Sequence, residues 1–142
     1  MLAEDASLPL TVGGTEAEKQ PAPGWGDIEI WFLSDFKVQV RVRDRTCAQN
    51  YAEMGFADRR SKHGEPRPNR AWHTLRNLAE SRGIIHDATK ADKDWPKVEK
   101  RMQEIRRELR SHFRIQGDPL PFVSGTGYRA LFRIGCSPSF PT

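Results

Sequence analysis

Several features are scarce in this chain of 142 residues, and each scarcity excludes a class of protein. Cysteine occurs only at Cys47 and Cys136, which is too few for a disulfide-stapled scaffold and favours a reducing compartment such as the cytoplasm. No apolar run approaches the roughly 20 residues that a spanning helix requires, so a membrane protein is excluded. The acidic start, Met-Leu-Ala-Glu-Asp, lacks the basic region and apolar stretch of a signal peptide.

Motifs of enzymes and of metal sites are also missing. The four histidines are scattered, and neither Cys-x-x-Cys nor His-Glu-x-x-His spacing occurs. Gly125-Thr126-Gly127 lacks the Lys-Ser/Thr pair and following helix of a phosphate-binding loop, and no Gly-x-Ser-x-Gly is present. We therefore expect no catalytic residues, no metal and no cofactor, while an enzyme or an enzyme accessory subunit stays the least supported interpretation.

Charge is distributed unevenly along the chain. The net charge is +4, but the first 25 residues carry four acidic side chains against Lys19, so they sum to −3 and the rest carries +7. These residues also hold six prolines and glycines and no apolar period. They predict a flexible acidic leader over residues 1–26, with or without a role of its own. The basic domain expected over 27–135 favours an acidic partner such as nucleic acid.

A second cluster of charge lies at residues 55–70, with five Lys and Arg against two acids. Gly64, Pro66 and Pro68 argue against regular structure in its second half. Two interpretations stay open: a solvated loop, or a loop that contacts phosphates through Arg59, Arg60 and Lys62.

Two segments have a period of two, with Ser34-Asp35 between them. Ile28, Ile30 and Phe32 alternate with Glu29, Trp31 and Leu33 in the first, and apolar residues alternate with polar ones from Phe36 to Arg43 in the second. This period of two predicts a pair of antiparallel strands with one wet face. A turn at Asp44-Arg45 and a short third strand over 46–51 follow.

The second half of the chain predicts two long helices. Asn69 caps the first, which runs to about Arg82 before Gly83 ends it. A bridging strand at 84–86 and at most a short helix near 87–94 follow. Asp94 then caps the second helix, where Val98, Met102, Ile105 and Leu109 form one apolar stripe.

Two strands, over 120–123 and 128–134, are expected to form a hairpin around Ser124-Gly125-Thr126-Gly127. Its glycines suit a tight turn, which needs positive φ. Residues 136–142 are expected to be a C-terminal tail.

The polar face of the second helix offers donors and acceptors for DNA bases. Opposite the apolar stripe fall Lys100, Gln103, Glu104, Arg107, Arg110 and Ser111, with Lys97 and Arg101 at the flank. Such a face suits the major groove, where Lys and Arg donate to guanine and Gln pairs with adenine. The alternative is an ordinary solvated helix with Lys100–Glu104 and Glu104–Arg107 ion pairs.

Two motifs in this half resemble a known family. Residues 98–109 read Val-Glu-Lys-Arg-Met-Gln-Glu-Ile-Arg-Arg-Glu-Leu, and residues 123–129 read Val-Ser-Gly-Thr-Gly-Tyr-Arg. In order and spacing they resemble the recognition helix and the Val-Arg-Gly-x-Gly-Tyr-Arg wing of the OmpR/PhoB-type winged-helix family. The resemblance implies an α+β winged helix-turn-helix with an N-terminal antiparallel sheet, a three-helix core and a C-terminal β-hairpin wing.

The resemblance also implies which residues bind DNA. The helix over about 95–112 would enter the major groove and the wing over 121–134 would lie on the backbone. Groove-facing positions correspond to Lys97, Lys100, Arg101, Gln103 and Glu104, phosphate or flanking-base contacts to Arg106 and Arg107, and a backbone contact to Tyr128. The predicted set is completed by Arg110, Ser124, Thr126 and Arg129.

Three features depart from the family's pattern. Ser124 stands where the wing often has Arg, which puts minor-groove recognition in doubt. The segment 53–70 is longer and more basic than the usual link, and residues 87–94 hold few apolar side chains for a positioning helix. No receiver domain precedes the motifs, so we expect control by another protein or by regulated expression.

The sequence therefore predicts a small cytoplasmic bacterial regulator of transcription that binds double-stranded DNA. A single unit of this kind reads a short site, so we expect a homodimer, tandem sites or a separate regulatory protein. The alternative is a winged-helix protein–protein interaction module of a regulatory complex.

Overall fold

A computed structural model describes residues 22–58, 60, 66–86 and 95–137. Within these residues the chain forms nine β-strands and two α-helices, which confirms the predicted mixed α+β class. No helix in these ranges combines the length and apolarity that crossing a bilayer requires.

The N-terminal sheet follows the predicted alternation. Strands β1 (Ile28–Phe32), β2 (Lys37–Val42) and β3 (Arg45–Asn50) pair antiparallel in sequence order. On β2, Val38 and Val40 are buried while Lys37 and Gln39 are exposed. One face of the sheet therefore covers the core, and the other, called the outer face below, contacts solvent.

Helix α1 (Arg70–Glu80) begins at the predicted cap, where Oδ1 of Asn69 accepts from the backbone N–H of Trp72 at 2.9 Å. It ends two residues before the predicted position, because Arg82 and Gly83 turn into positive φ and the Gly83 N–H bonds the Leu78 carbonyl at 2.8 Å. Trp72 is fully buried between Phe32 and Phe56, with ring centroids 5.0 and 5.6 Å away. The helix therefore packs on the inner face of the sheet.

Short strands β4 (Ala57–Asp58) and β5 (Arg67–Pro68) pair just before α1. The prediction that the second half of 55–70 has no regular structure is wrong at β5. A two-stranded ribbon consists only of edges, where a proline's missing N–H is tolerated.

After α1, the predicted bridging strand is present as β6 (Ile84–His86). Helix α2 (Trp95–Phe113) and the antiparallel hairpin of β7 (Phe122–Val123) and β8 (Gly127–Arg129) follow. These strands form a second sheet in the order β6-β8-β7. Gly125 and Gly127 have φ of 84° and 118°, so the hairpin turn uses its glycines as predicted.

The single strand predicted over 128–134 is wrong, because the chain leaves the hairpin after Arg129. The Ala130 N–H bonds the Gly83 carbonyl at 2.8 Å and the Leu131 N–H bonds the Pro119 carbonyl at 2.9 Å, which turns the chain away. Strand β9 (Arg133–Cys136) then pairs in parallel with β1 at the edge of the N-terminal sheet. Cys136 therefore belongs to the sheet and not to the predicted tail, whose residues 138–142 lie outside the described residues.

The structure differs from the sequence-based expectation at two further places. The described residues contain two α-helices, so they do not include the predicted three-helix core; the positioning helix near 87–94, like the Asp94 cap, falls outside them. Trp25, assigned to the leader, is only 6% exposed and belongs to the core. The folded part therefore begins before residue 27, and leader residues 1–21 lie outside the described residues.

Candidate nucleic-acid interface

Helix α2 lies across the core with one apolar side. Met102, Ile105 and Leu109 are fully buried and Val98 is half-buried, as the spacing of the apolar stripe predicts. Helix α2 packs against α1, and these residues belong to the hydrophobic core. The opposite side of the 19-residue helix is consequently exposed.

Four cations share that exposed side. With Val98 as zero and 100° per residue, Lys100, Arg107 and Arg110 fall between roughly 120° and 200°. Arg114 is exposed just beyond the end of the helix, and it lines a shallow open depression together with Arg106, Arg107 and Arg110. We call Lys100, Arg107, Arg110 and Arg114 the cationic stripe. It extends about 21 Å along the helix, at 1.5 Å per residue.

Acidic side chains of α2 lie outside the stripe. Glu99, Glu104 and Glu108 fall at roughly 100°, 240° and 280° on the same projection. Among the described residues, no ion pair involves Lys100, Arg110 or Arg114. Arg107 has a loose pair with Glu108 at 3.8 Å and a side chain that is 71% exposed. An exposed pair of this kind adds little stability, so the stripe is available to external anions.

Glu104 forms a different ion pair from the ones considered in the sequence. Its Oε1 lies 2.8 Å from Nη1 of Arg101, and both side chains are largely covered. Arg101 and Glu104 therefore neutralise each other at the edge of the stripe. Neither presents the open, unpaired group that a groove-facing position needs.

Arg106 is turned away from the predicted DNA contact. Its side chain is 14% exposed, and its Nη2 donates to the Leu120 carbonyl at 2.7 Å. Its Nε lies 3.1 Å from Oδ1 of Asp118, close enough for an ion pair although the N–H is not aligned for a hydrogen bond. Arg106 thus joins α2 to the segment before the hairpin, and the prediction that it contacts phosphates conflicts with this burial.

Tyr128 is also covered. It is 5% exposed and stacks on Trp95 at the start of α2, with centroids 5.8 Å apart. Burial raises the pKa of its hydroxyl, and the Arg106 cation opposes that shift. Its ring thus packs on the N-terminal end of α2, and the predicted contact with the DNA backbone conflicts with its burial.

The hairpin lies beside the N-terminal end of α2, because Trp95 contacts both Tyr128 and Phe122. Ser124 is exposed and Thr126 half-buried in the turn. Arg129 is exposed and, as the neighbour of Tyr128 in β8, points to the opposite side of the hairpin. There it lines a second open groove with Arg82 and Arg133.

The other predicted contacts are scattered. Lys97 is exposed in the first turn of α2, close to Lys100, and Gln103 is exposed beside the stripe. Arg60 is exposed but pairs with Asp58 at 3.2 Å, and its N–H groups lower the pKa of that carboxyl. Arg59 and Lys62 lie outside the described residues. The structure therefore groups Lys97, Lys100, Gln103, Arg107 and Arg110 on the exposed side of α2. Arg106 and Tyr128 are mostly covered, and Arg129 lies in a different groove.

Sequence reasoning missed Arg114 because it lies beyond the end of α2, where the backbone turns to a positive φ of 57° and the helical pattern no longer applies. The depression that it lines together with Arg107 and Arg110 shows that it shares their surface. Within the described ranges, no group of three His, Cys, Asp or Glu side chains is placed to hold a metal ion.

Comparisons with family models, with curated proteins and with solved structures found no match to this chain. The resemblance of residues 98–109 and 123–129 to the OmpR/PhoB-type family therefore stays a prediction. Function has to be inferred from the geometry of α2 and the hairpin.

Proposed function

We propose that this chain is a winged-helix protein that binds double-stranded DNA through the exposed side of α2 and regulates transcription. The cationic stripe is the observation that carries the proposal. It offers four cations along about 21 Å, while each DNA strand has a phosphate about every 3.4 Å of helix axis. Electrostatic contact with phosphates supplies most of the affinity of such proteins.

The two halves of α2 differ in what they offer DNA. Lys97, Lys100 and Gln103 lie in the half next to the hairpin, and they are side chains that bond base edges in the major groove. Arg107, Arg110 and Arg114 lie in the other half and suit phosphates. The major groove, about 12 Å wide, admits an α-helix, so α2 enters with its N-terminal half and the hairpin lies on the adjacent backbone.

The order of elements supports the same assignment. Strand β6, helix α2 and the hairpin succeed one another, and β6 pairs with β8 in antiparallel register from Ile84–Arg129 to His86–Gly127. A bridging strand that joins the hairpin is a feature of the winged-helix arrangement that the resemblance implies. Helix α1 packs behind α2 and leaves its polar side uncovered.

The test is equilibrium binding of the full chain to a mixed-sequence duplex across salt concentrations. If Arg107, Arg110 and Arg114 each neutralise a phosphate, the plot of log K against log salt has a slope of about −3. Arg107→Gln and Arg110→Gln each make that slope shallower by about one. Lys37→Gln is the matched control, because Lys37 is exposed on the outer face of the N-terminal sheet. Binding without salt dependence would overturn the proposal. So would a change of slope in Lys37→Gln equal to that in the two arginine variants.

A protein-interaction module is the second candidate, and the hairpin is the observation that favours it. Phe122 and Val123 are 38% and 41% exposed, and Ser124 adds no charge beside them. Exposed aromatic and aliphatic side chains without charge among them are typical of the core of a protein–protein interface. Recovery of one stoichiometric protein that survives nuclease treatment and is lost with Val123→Ser would favour this candidate over DNA.

A further inference from the structure

The chain enters the folded part beside the end of the cationic stripe. Nε1 of Trp25 donates to the Gly117 carbonyl at 2.8 Å, and its ring lies 6.0 Å from that of Phe113. Phe113 and Gly117 flank Arg114 in sequence, and Arg110 precedes Phe113 by less than one helical turn. Trp25 is almost fully buried in this position, so the described part of the chain begins beside the C-terminal end of α2, where Arg114 lies.

Those residues have charge opposite to that of the stripe. Residues 1–21 contain one cation, Lys19, and four acidic side chains, called the leader acids: Glu4, Asp5, Glu16 and Glu18. Glu18 precedes Trp25 by seven residues, which span at most about 25 Å when extended. The stripe is about 21 Å long, so Glu16 and Glu18 reach the cations at its Arg114 end, and Glu4 and Asp5, about 20 residues before Trp25, reach the rest of it.

We propose that residues 1–21 bind intramolecularly to the cationic stripe and compete with DNA for it. The DNA part of this inference rests on the proposed function, whereas the docking itself does not. A short tether gives the leader an effective concentration in the millimolar range at the stripe, although exposed ion pairs are individually weak. Docking is therefore reversible, and a ligand with many phosphates displaces the leader.

Removing the leader acids tests the competition in the full chain. The variant with Glu4→Gln, Asp5→Asn, Glu16→Gln and Glu18→Gln is expected to bind a duplex about three- to tenfold more tightly in low salt. The gain should shrink as salt rises to about 200 mM, since screening weakens the leader's attraction. Glu80→Gln is the charge control: it removes one exposed acid on α1, outside the stripe. If Glu80→Gln raises the affinity for the duplex by as much per removed charge as the leader variant does, the proposed competition is wrong.

A second readout needs no DNA. Amide ¹H–¹⁵N spectra of the parent chain and the four-fold leader variant are expected to differ at Lys100, Arg107, Arg110 and Arg114 and to agree on the outer face of the sheet. Unchanged stripe amides would overturn the docking, whatever happens with DNA. Shifted stripe amides without DNA binding by either protein would support docking and overturn the proposed function instead.

Discussion

Arg106 of α2 lies over the ring of Tyr128 in β8, with its guanidinium carbon 5.4 Å from the ring centroid. The same guanidinium bonds the Leu120 carbonyl and pairs with Asp118. One arginine therefore connects the exposed helix to both the hairpin and the segment that leads into it. The stripe cation Arg107, its neighbour, makes no comparable contact.

Because these neighbours differ in their contacts, we expect their removal to affect stability differently. Arg106→Ala is expected to lower the free energy of unfolding by about 2–3 kcal/mol, because it leaves the Leu120 carbonyl and Asp118 without their charged partner. Arg107→Ala is expected to stay within about 0.5 kcal/mol of the parent, as for other exposed positions. Urea unfolding of both variants measures the difference. Equal stabilities would show that Arg106 does not join helix and hairpin.

Local patterns in the sequence were sufficient to predict the strands and the helix that bury one side. Alternation at Ile28–Phe32 and Lys37–Val42 predicted β1 and β2, and the apolar stripe of α2 predicted which side is buried. Pairing of β9 with β1 joins residues about 100 positions apart, and no local period encodes such a partner. The wrong role predicted for Arg106 has the same cause.

Arg106 illustrates this limit at the level of one side chain. Its position on the helical projection, roughly 80° from Val98, borders the apolar stripe and the polar face alike. Only its neighbours Asp118 and Leu120, brought close by the turn after α2, decide that it points inward. Trp25 is similar, since its partners Gly117 and Phe113 lie near the other end of the chain.

His112 predicts a loss of stability in weak acid. Its Nε2 lies 2.8 Å from Oε1 of Gln49, and burial lowers its pKa, opposed by the nearby Glu53 carboxylate. Below pH ~6.5 the unfolded chain binds this proton more readily than the folded one, so stability falls as pH falls. We expect the unfolding midpoint to depend less on pH in His112→Gln than in the parent between about pH 7.5 and 5. His73→Gln, which removes an exposed imidazole on α1, is the matched control. A slope in His112→Gln equal to that of the parent would contradict the assignment.

For Tyr128 we expect stability to fall as pH rises in the alkaline range, whereas for His112 it falls as pH falls. Burial raises its pKa above the ordinary value near 10, so the folded state keeps the hydroxyl neutral where the unfolded state ionises it. The stability that this provides is present below pH ~10 and is lost as pH rises through the higher folded-state value. We expect the parent chain to lose more stability than Tyr128→Phe between about pH 9 and 11. Identical alkaline profiles would mean that another group, such as Cys136, dominates the transition.

Gly135 predicts a steric limit in β9. A Cβ atom at this position would lie 2.7 Å from Cζ3 of Trp31, whose indole N–H already donates to Glu29 at 3.0 Å. Gly135→Ala is therefore expected to displace the ring and destabilise the fold by about 1–3 kcal/mol, as for other overpacked sites. Gly24→Ala meets no atom within 4 Å and serves as the control. Thermal unfolding of the two variants decides whether this contact limits the sheet edge.

The two halves of α2 predict different effects on DNA sequence preference. If Lys100 bonds base edges, Lys100→Ala weakens binding to a duplex selected from random sequences more than binding to an unselected one, by about 1–3 kcal/mol. Arg110→Ala, which removes a phosphate contact, is expected to weaken both duplexes alike, because phosphates carry no sequence information. Titrations of each variant with both duplexes at one salt concentration measure the two ratios. An unchanged ratio for Lys100→Ala would assign the whole stripe to the backbone and leave base recognition to other residues of the helix.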